Sequence, residues 1–345
     1  MPEGGGISRH FDESYALITE LVVDERTDLI AYLTELRQDA QLNDLIAEAG
    51  RKVLLNELIQ MIKHEAGSRT GDDIEDVHDM RVAIRRMRST LRLLEPYFKP
   101  KSIVPQMQSL RKVATSLGSV RDLDVLMSDL QTYSAAQPEA TQTALASVLA
   151  LMEKRRTSAR ERLNNTFDKG SYQRFVKDFA GFLTSPGKGA REVDSDDIHP
   201  VQLRHVLPEM VYRHLGSVRA YDSVIADMDI PTLHALRIEC KRLRYTVSLF
   251  RELLGTGILE FIEELKVIQD SLGRVNDLAD ARDRLGDLLK QFGPKLNADA
   301  QTALSDYLIY LETEQTTDRA GVMALWVHFN TKKVQRLLAN AIAGL

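Results

Sequence analysis

Two histidines each open a run of cations spaced as one face of a helix. His78, Arg81, Arg85, Arg88 and Arg92 follow one another at three- and four-residue steps, as do His234, Arg237, Lys241 and Arg244. At about 100° per residue each set falls on a single stripe, with successive members about 5 Å apart along the axis. His78 to Arg88 then spans about 15 Å, a track for an extended chain of phosphates more than a pocket for one. Arginine presents fork-shaped donors that match phosphate oxygens, Lys241 a point charge, and each histidine a pH-dependent donor. Protonation of His78 and His234 below about pH 6.5 should tighten an anion on this track. Neither stripe contains a carboxylate, and like charges on neighbouring turns repel by a few tenths of a kcal/mol per pair. Something anionic must offset that repulsion: protein carboxylates, with Asp122 and Asp277 as acceptors, or a ligand.

The surroundings of the stripes narrow the choice. Val77, Met80, Ile84, Met87, Leu91 and Leu94 form an apolar stripe beside the first set; Leu233, Leu236, Cys240, Leu243, Val247 and Phe250 do so beside the second. The cations thus border the buried face, whereas a merely solvated charged face lies opposite the core and mixes both signs. Arg86 and Arg242 point elsewhere on their helices, yet belong to the wider set of candidates with Arg92. Arg111, Lys112 and Lys266 could extend the track from the neighbouring helix. Arg51 and Lys52 are weaker candidates, and the mixed cluster KRRTSARER (154–162) reads as a solvated face.

Other chemistries find less support. Each motif histidine has Arg three residues on, where a bound metal would want a carboxylate or imidazole, and His199, His205 and His214 do not share a helical face. Single-strand nucleic-acid binders add aromatic platforms, but the chain is 6% aromatic and only Tyr245 flanks a stripe. A metal-chelating or nucleic-acid-binding helical module stands as the alternative reading. No phosphate-cradling loop, nucleophile elbow or His-Glu-x-x-His motif occurs, and ETEQT (312–316) lacks the lysine of a Glu-x-Glu-x-Lys site. Cys240 lies on the apolar stripe, as a core filler would. The expectation is a protein with no catalytic residues, no metal and no cofactor.

The elements that must position these residues read as helices almost throughout. Helical periodicity covers 11–48 (two helices), 51–67, 73–96, 101–133, 138–168 and 171–184, then 200–221, 231–254, 257–292, 295–319 and 321–343. Pro138, Pro200, Pro231 and Pro294 sit near starts, and Pro208 predicts a kink or break. Gly118 and Gly273 fall inside helices, where close packing is the simplest use for them. TSPGKGAREVDSDDIHP (184–200) has no apolar period and reads as a linker. It separates two similar stretches. VHDMRVAIRRMRSTLRLL (77–94) aligns with LHALRIECKRLRYTVSLF (233–250), and LRKVATSLGSVRDLDVLMSDL (110–130) with LKVIQDSLGRVNDLADARDRL (265–285). The two offsets, 156 and 155, predict an internal duplication with four or five helices per copy.

These residues resemble the CHAD domain, the conserved histidine α-helical domain. Its hallmark is similar to HDMRVAIRRMR (78–88) and HALRIECKRLR (234–244), the second running on into Tyr245, and its Leu-Gly-x-x-[RN]-Asp element is similar to Leu117–Asp122 and Leu272–Asp277. The resemblance covers about residues 51–343. It implies an all-α fold of two homologous bundles related by a pseudo-twofold across a basic central channel, with inorganic polyphosphate as the ligand. The core ligands would be His78, Arg81, Arg85, Arg88, His234, Arg237, Lys241 and Arg244. It also implies association with polyphosphate granules and with polyphosphate-metabolising enzymes. Asn276 stands where the first copy has Arg121, which puts a role for that position in doubt.

Composition bounds the rest. The 345 residues carry a net charge of −5, with 28% charged and 43% hydrophobic residues, which are globular values. One cysteine fits a reducing compartment, and no apolar run approaches the ~18–20 residues of a membrane helix. A cytoplasmic protein with no membrane partner is expected. Residues 1–50 hold eleven acidic and three basic residues, which leaves +3 on the remainder. The sequence therefore divides into an acidic helical extension (1–50), a first bundle (51–183), the linker (184–200) and a second bundle (201–345).

The extension admits two roles. Asp24, Glu25 and Asp28 could lie over the basic stripes, or Leu17, Leu21, Ile30 and Leu33 could pack it on the first bundle.

Overall fold

The computed structural model describes residues 26–192, 200–225 and 229–345. Among these residues the chain forms twelve α-helices and no strand, as the periodicity predicts. They are α1 (Arg26–Glu35), α2 (Ile46–Lys63), α3 (Glu65–Thr70), α4 (Ile74–Leu93), α5 (Pro100–Ala135), α6 (Glu139–Phe167), α7 (Gly170–Leu183), α8 (Leu203–Arg219), α9 (Ile230–Leu249), α10 (Ile258–Phe292), α11 (Ala298–Phe329) and α12 (Lys332–Ile342). No helix among the described residues is long and apolar enough to cross a membrane.

The chain divides into two compact units. Among the described residues the first comprises 26–122, 156–192 and 200–206, the second 123–155, 207–225 and 229–345, so α5 and α6 each contribute to both. In the first unit, α7 carries an aromatic ladder, with Tyr172, Phe175, Phe179 and Phe182 in successive ring contact and Phe98 closing on Phe182 at 5.9 Å. Leu54, Leu58 and Ile62 of α2, Met80 and Met87 of α4 and Leu117 of α5 complete a core closed to solvent. In the second unit, Leu126, Leu130, Leu145, Val148 and Met152 pack with Leu285, Leu288, Leu304, Tyr307 and Leu311.

The two basic helices begin alike. The Asp73 carboxylate accepts from the Glu75 N–H at 2.8 Å ahead of α4, and Asp229 accepts from the Thr232 N–H at 2.9 Å ahead of α9. Each cap satisfies an orphan donor of the first turn and fixes where the stripe begins.

Two expectations require correction. Pro208 lies inside α8 without ending it: proline deletes a single backbone hydrogen bond, and Leu207, Met210 and Val211 stay buried around it. The expected break near residue 320 is absent, because the buried face of α11 runs through it, from Leu311 and Gln315 to Val322 and Trp326. The stop comes instead at Asn330. Backbone hydrogen bonds anchor the chain at and just beyond the described ends of the 184–200 segment. Lys99 N–H donates to Gly189 O at 2.8 Å and Arg191 N–H to Tyr97 O at 2.9 Å, while Ile46 N–H donates to Val201 O at 2.9 Å. Residues 193–199, with His199, lie outside the described residues.

Candidate polyanion-binding site

On α4 the apolar stripe is closed to solvent at every expected position, Val77, Met80, Ile84, Met87, Leu91 and Leu94, and His78, Arg81, Arg85 and Arg88 sit half-buried along its border. On α9 the six apolar positions from Leu233 to Phe250 are likewise buried. Arg237, Lys241 and Arg244 are half-buried beside them, and His234 is exposed. The border position holds for both sets.

The Leu-Gly-x-x-x-Asp segments of α5 and α10 lie against the first rungs of the stripes. Arg81 meets Asp122 at 3.6 Å in the first unit, and Arg237 meets Asp277 at 3.2 Å in the second. Gly118 and Gly273 lie beneath those guanidinium groups: a Cβ at Gly118 would lie 3.4 Å from Arg81 Nη1, and one at Gly273 would lie 3.6 Å from Arg237 Nε, both ordinary contact distances.

Further along, the carboxylates give way. Arg88 is pushed below the usual arginine range by burial and by the charges of Arg92, Arg111 and Arg81, all cations. Its Nε is buried with no hydrogen-bond partner among the described residues. Arg111 of α5 and exposed Arg92 at the outer end of α4 thus stand near enough for their charges to act on Arg88. Lys112 is exposed on α5. In the second unit the equivalent Arg244 donates from Nε to Gln269 Oε1 at 2.7 Å and lies 5.5 Å from the Tyr245 ring. Gln269 is a neutral partner and brings no opposite charge to Arg244. Position 114, which aligns with Gln269, is alanine, and this leaves Arg88 without such a partner.

Other candidates serve elsewhere. Arg86 reaches the buried Glu57 at 3.5 Å, Arg242 pairs with Glu239 on its own helix, and Lys266 pairs with Glu263 at 3.7 Å. Arg51 and Lys52 are buried and tied to Glu48 and Asp44. Within 154–162, Arg160 donates to Thr70 O and Arg155 covers the Phe292 ring, so that cluster is not wholly a solvated face.

The histidines differ. Burial and the neighbouring Arg121 hold His78 below the ordinary histidine range, against Glu75 and Asp79, which act the other way. The expectation that His78 protonates near its ordinary value is therefore corrected downward. In the second unit Asn276 occupies the matching place and its Oδ1 contacts His234 Nδ1, while its Nδ2 donates to Asp280 Oδ2 at 3.0 Å. Arg121, Gln269, Asn276 and Asp280 were not candidates from spacing alone. The repeat alignment, which sets Arg121 opposite Asn276, singles out that position without showing that it meets the histidine.

Two motif histidines each beginning a cationic helix face, with a glycine and an aspartate of the next helix under the first arginine, recur in both units. The CHAD domain family model matches residues 52–286. The chain belongs to the CHAD domain family. Its fold is similar to the crystal structure of the CHAD domain from the plant Ricinus communis, at 24% identity and a TM-score of 0.67, covering 84% of this chain and 96% of that one. It is also similar to PptA from Streptomyces chartreusis, at 13% identity and a TM-score of 0.59, covering 82% and 99%. Two uncharacterized proteins of Mycobacterium tuberculosis, from strains CDC 1551 and H37Rv, are each 26% identical over 215 residues, or 62% of this chain. The chain spans 40% of the length of these curated relatives.

Proposed function

We propose that this chain is a binding module for inorganic polyphosphate, held along His78–Arg88 on α4 and His234–Arg244 on α9. The observation that carries the reading is Arg88, half-buried, with an unpartnered Nε and with cations as the charges acting on it. Such a cluster is unfavourable until an anion arrives, and the CHAD family is linked to polyphosphate binding. The length of the stripe favours a chain of phosphates over a single one. Cationic neighbours around His78 disfavour a metal there.

The proposal extends to a module that acts without catalysis or cofactor, that arose by duplication, and that joins polyphosphate granules and polyphosphate-metabolising enzymes in the cytoplasm. The basic channel belongs to it as well, in the sense that both stripes serve one ligand.

Titration with long-chain polyphosphate, pyrophosphate and single-stranded DNA at one salt concentration tests the reading. Tight binding of the long chain and weak binding of the other two is expected. Equal affinity for DNA would make the site a general polyanion sink, and absence of polyphosphate binding would end the proposal. The double replacements Arg81→Ala with Arg85→Ala, and Arg237→Ala with Lys241→Ala, should both weaken binding; an inert second pair would remove the shared ligand.

A further inference from the structure

The place that holds Arg121 in the first unit holds Asn276 in the second, and this exchange changes what each histidine can do. The Asn276 amide is oriented by Asp280, to which its Nδ2 donates at 3.0 Å, so its Oδ1 faces His234 Nδ1. A carboxamide oxygen only accepts, so Nδ1 carries the hydrogen in that contact. The ring nitrogen left over, on an exposed side chain, is Nε2. In the neutral ring Nε2 is an acceptor and repels a phosphate oxygen; it becomes a donor only by taking a proton. Asp280 stands behind Asn276, and Arg237, three residues on along the histidine's own helix, is paired with Asp277.

The first unit lacks this arrangement. Arg121 comes from α5 to His78, joined by Glu75, Asp79 and Arg85 of the histidine's own helix, and is itself paired with Glu75 at 3.4 Å. Position 125, which aligns with Asp280, is valine. A cation already stands beside His78, and a second on the imidazole would be opposed.

We propose that Asn276 is a positioning residue that makes His234 the proton-coupled donor of the site, whereas His78 binds uncharged beside Arg121. On the second stripe, a phosphate oxygen arriving at Nε2 draws one proton from solvent onto the ring, forming an imidazolium between the phosphate and the Asn276–Asp280 pair. On the first stripe Arg121 supplies the charge and no proton is taken up. This rests on the polyphosphate reading above and assigns its pH dependence to one half of the chain.

Calorimetric titration of the full chain with long-chain polyphosphate at pH 7, in buffers of unlike ionisation enthalpy, reads the protons taken up per binding event. Net uptake is expected in the unaltered protein. It should vanish in His234→Gln and persist in His78→Gln. Asn276→Leu should reduce it, and Asn276→Gln, which keeps a neutral carboxamide acceptor for Nδ1, should retain it; a merely structural role for Asn276 would not separate these two. Arg121→Asn should add uptake at His78. Binding without uptake, uptake that survives His234→Gln, or uptake lost in His78→Gln would overturn the inference while leaving polyphosphate binding intact. Failure to bind polyphosphate at all would strike the functional reading instead. Circular dichroism of each variant confirms that the helices are kept.

Discussion

At the scale of single residues, the arginines divide into those that hold the fold and those that it tolerates. Arg86 covers the buried carboxylate of Glu57, whose pKa burial raises even with that partner. Arg88 is held below the usual arginine range by burial and by the charges of Arg92, Arg111 and Arg81. Arg88→Ala should therefore leave the melting temperature unchanged or raise it. Polyphosphate affinity should fall roughly 10- to 100-fold, the loss of about one or two charge-assisted contacts. Arg86→Ala should do the reverse, lowering stability by about 1 kcal/mol because Arg86 is half in solvent, and sparing affinity. Paired thermal melts and titrations decide it; an Arg86→Ala that weakens binding as much as Arg88→Ala would merge the two classes.

A pH effect follows at the same scale. His78 is held low by burial and Arg121, and His214 by burial, Arg213 and Arg242. The folded state then binds fewer protons than the unfolded one. Stability from these groups is complete above about pH 6.5 and is lost as the pH falls through their lower folded values. Urea denaturation of the ligand-free protein should show a lower midpoint at pH 5.5 than at 7.5. The double variant His78→Gln with His214→Gln should narrow that gap, and a gap of unchanged size would contradict the assignment. Spacing alone made the stripes legible, because helix geometry fixes which side chains share a face. The Arg121–His78 and Asn276–His234 juxtapositions were not, because they depend on the register in which one helix packs on the next.

At the scale of elements, the helices were legible over most of their length, and two of the exceptions share one cause. Gly321 and Pro208 weaken a helix locally, but packing on both sides of them outweighs a cost of about 1 kcal/mol for glycine or one lost hydrogen bond for proline. In α11 the Arg274 contacts to Glu314 and Asp318 and the Gln315 contact to Val275 O hold the middle of the helix to α10. The glycines under the stripes carry a sharper expectation. Gly118→Ala and Gly273→Ala should be tolerated, and could add up to about 1 kcal/mol of helix stability, because the new Cβ meets guanidinium nitrogens at 3.4 and 3.6 Å. A leucine at either position would displace Arg81 or Arg237 from its aspartate. Affinity should then fall with each leucine variant but not with the alanines, measured by polyphosphate titration beside a melt of each protein. Loss of binding with the alanines alone would mean that the backbone, not the space above it, is what the ligand needs.

At the scale of the whole molecule, the open question left by the sequence was what the acidic first fifty residues do. Asp24, Glu25, Leu17 and Leu21 lie outside the described residues. The part that is described packs. Leu29 and Leu33 of α1 are wholly buried, Ile30 is half-buried and Asp28 is exposed, and α1 lies against α2 of the first unit. Arg26 adds a polar anchor: its Nε meets Glu65 at 3.0 Å and its Nη2 donates to Gln173 at 2.8 Å. Glu65 is only 3% exposed and is also held by Arg69 and by the Tyr172 hydroxyl, whose pKa burial and Glu65 raise. Deleting residues 1–40 would expose the surface that Leu29 and Leu33 cover, worth about 1.5–3 kcal/mol for each leucine, and would leave Glu65 one cation short. The melting temperature should drop by many degrees while polyphosphate affinity, measured well below the new midpoint, stays the same. Arg26→Ala should reproduce part of that drop and none of any change in affinity. If the extension instead competes for the stripes, the deletion would bind polyphosphate more tightly, and the gain would shrink as added salt screens the competing charges. That outcome would make the first fifty residues a regulator of the site and not part of the bundle that supports it.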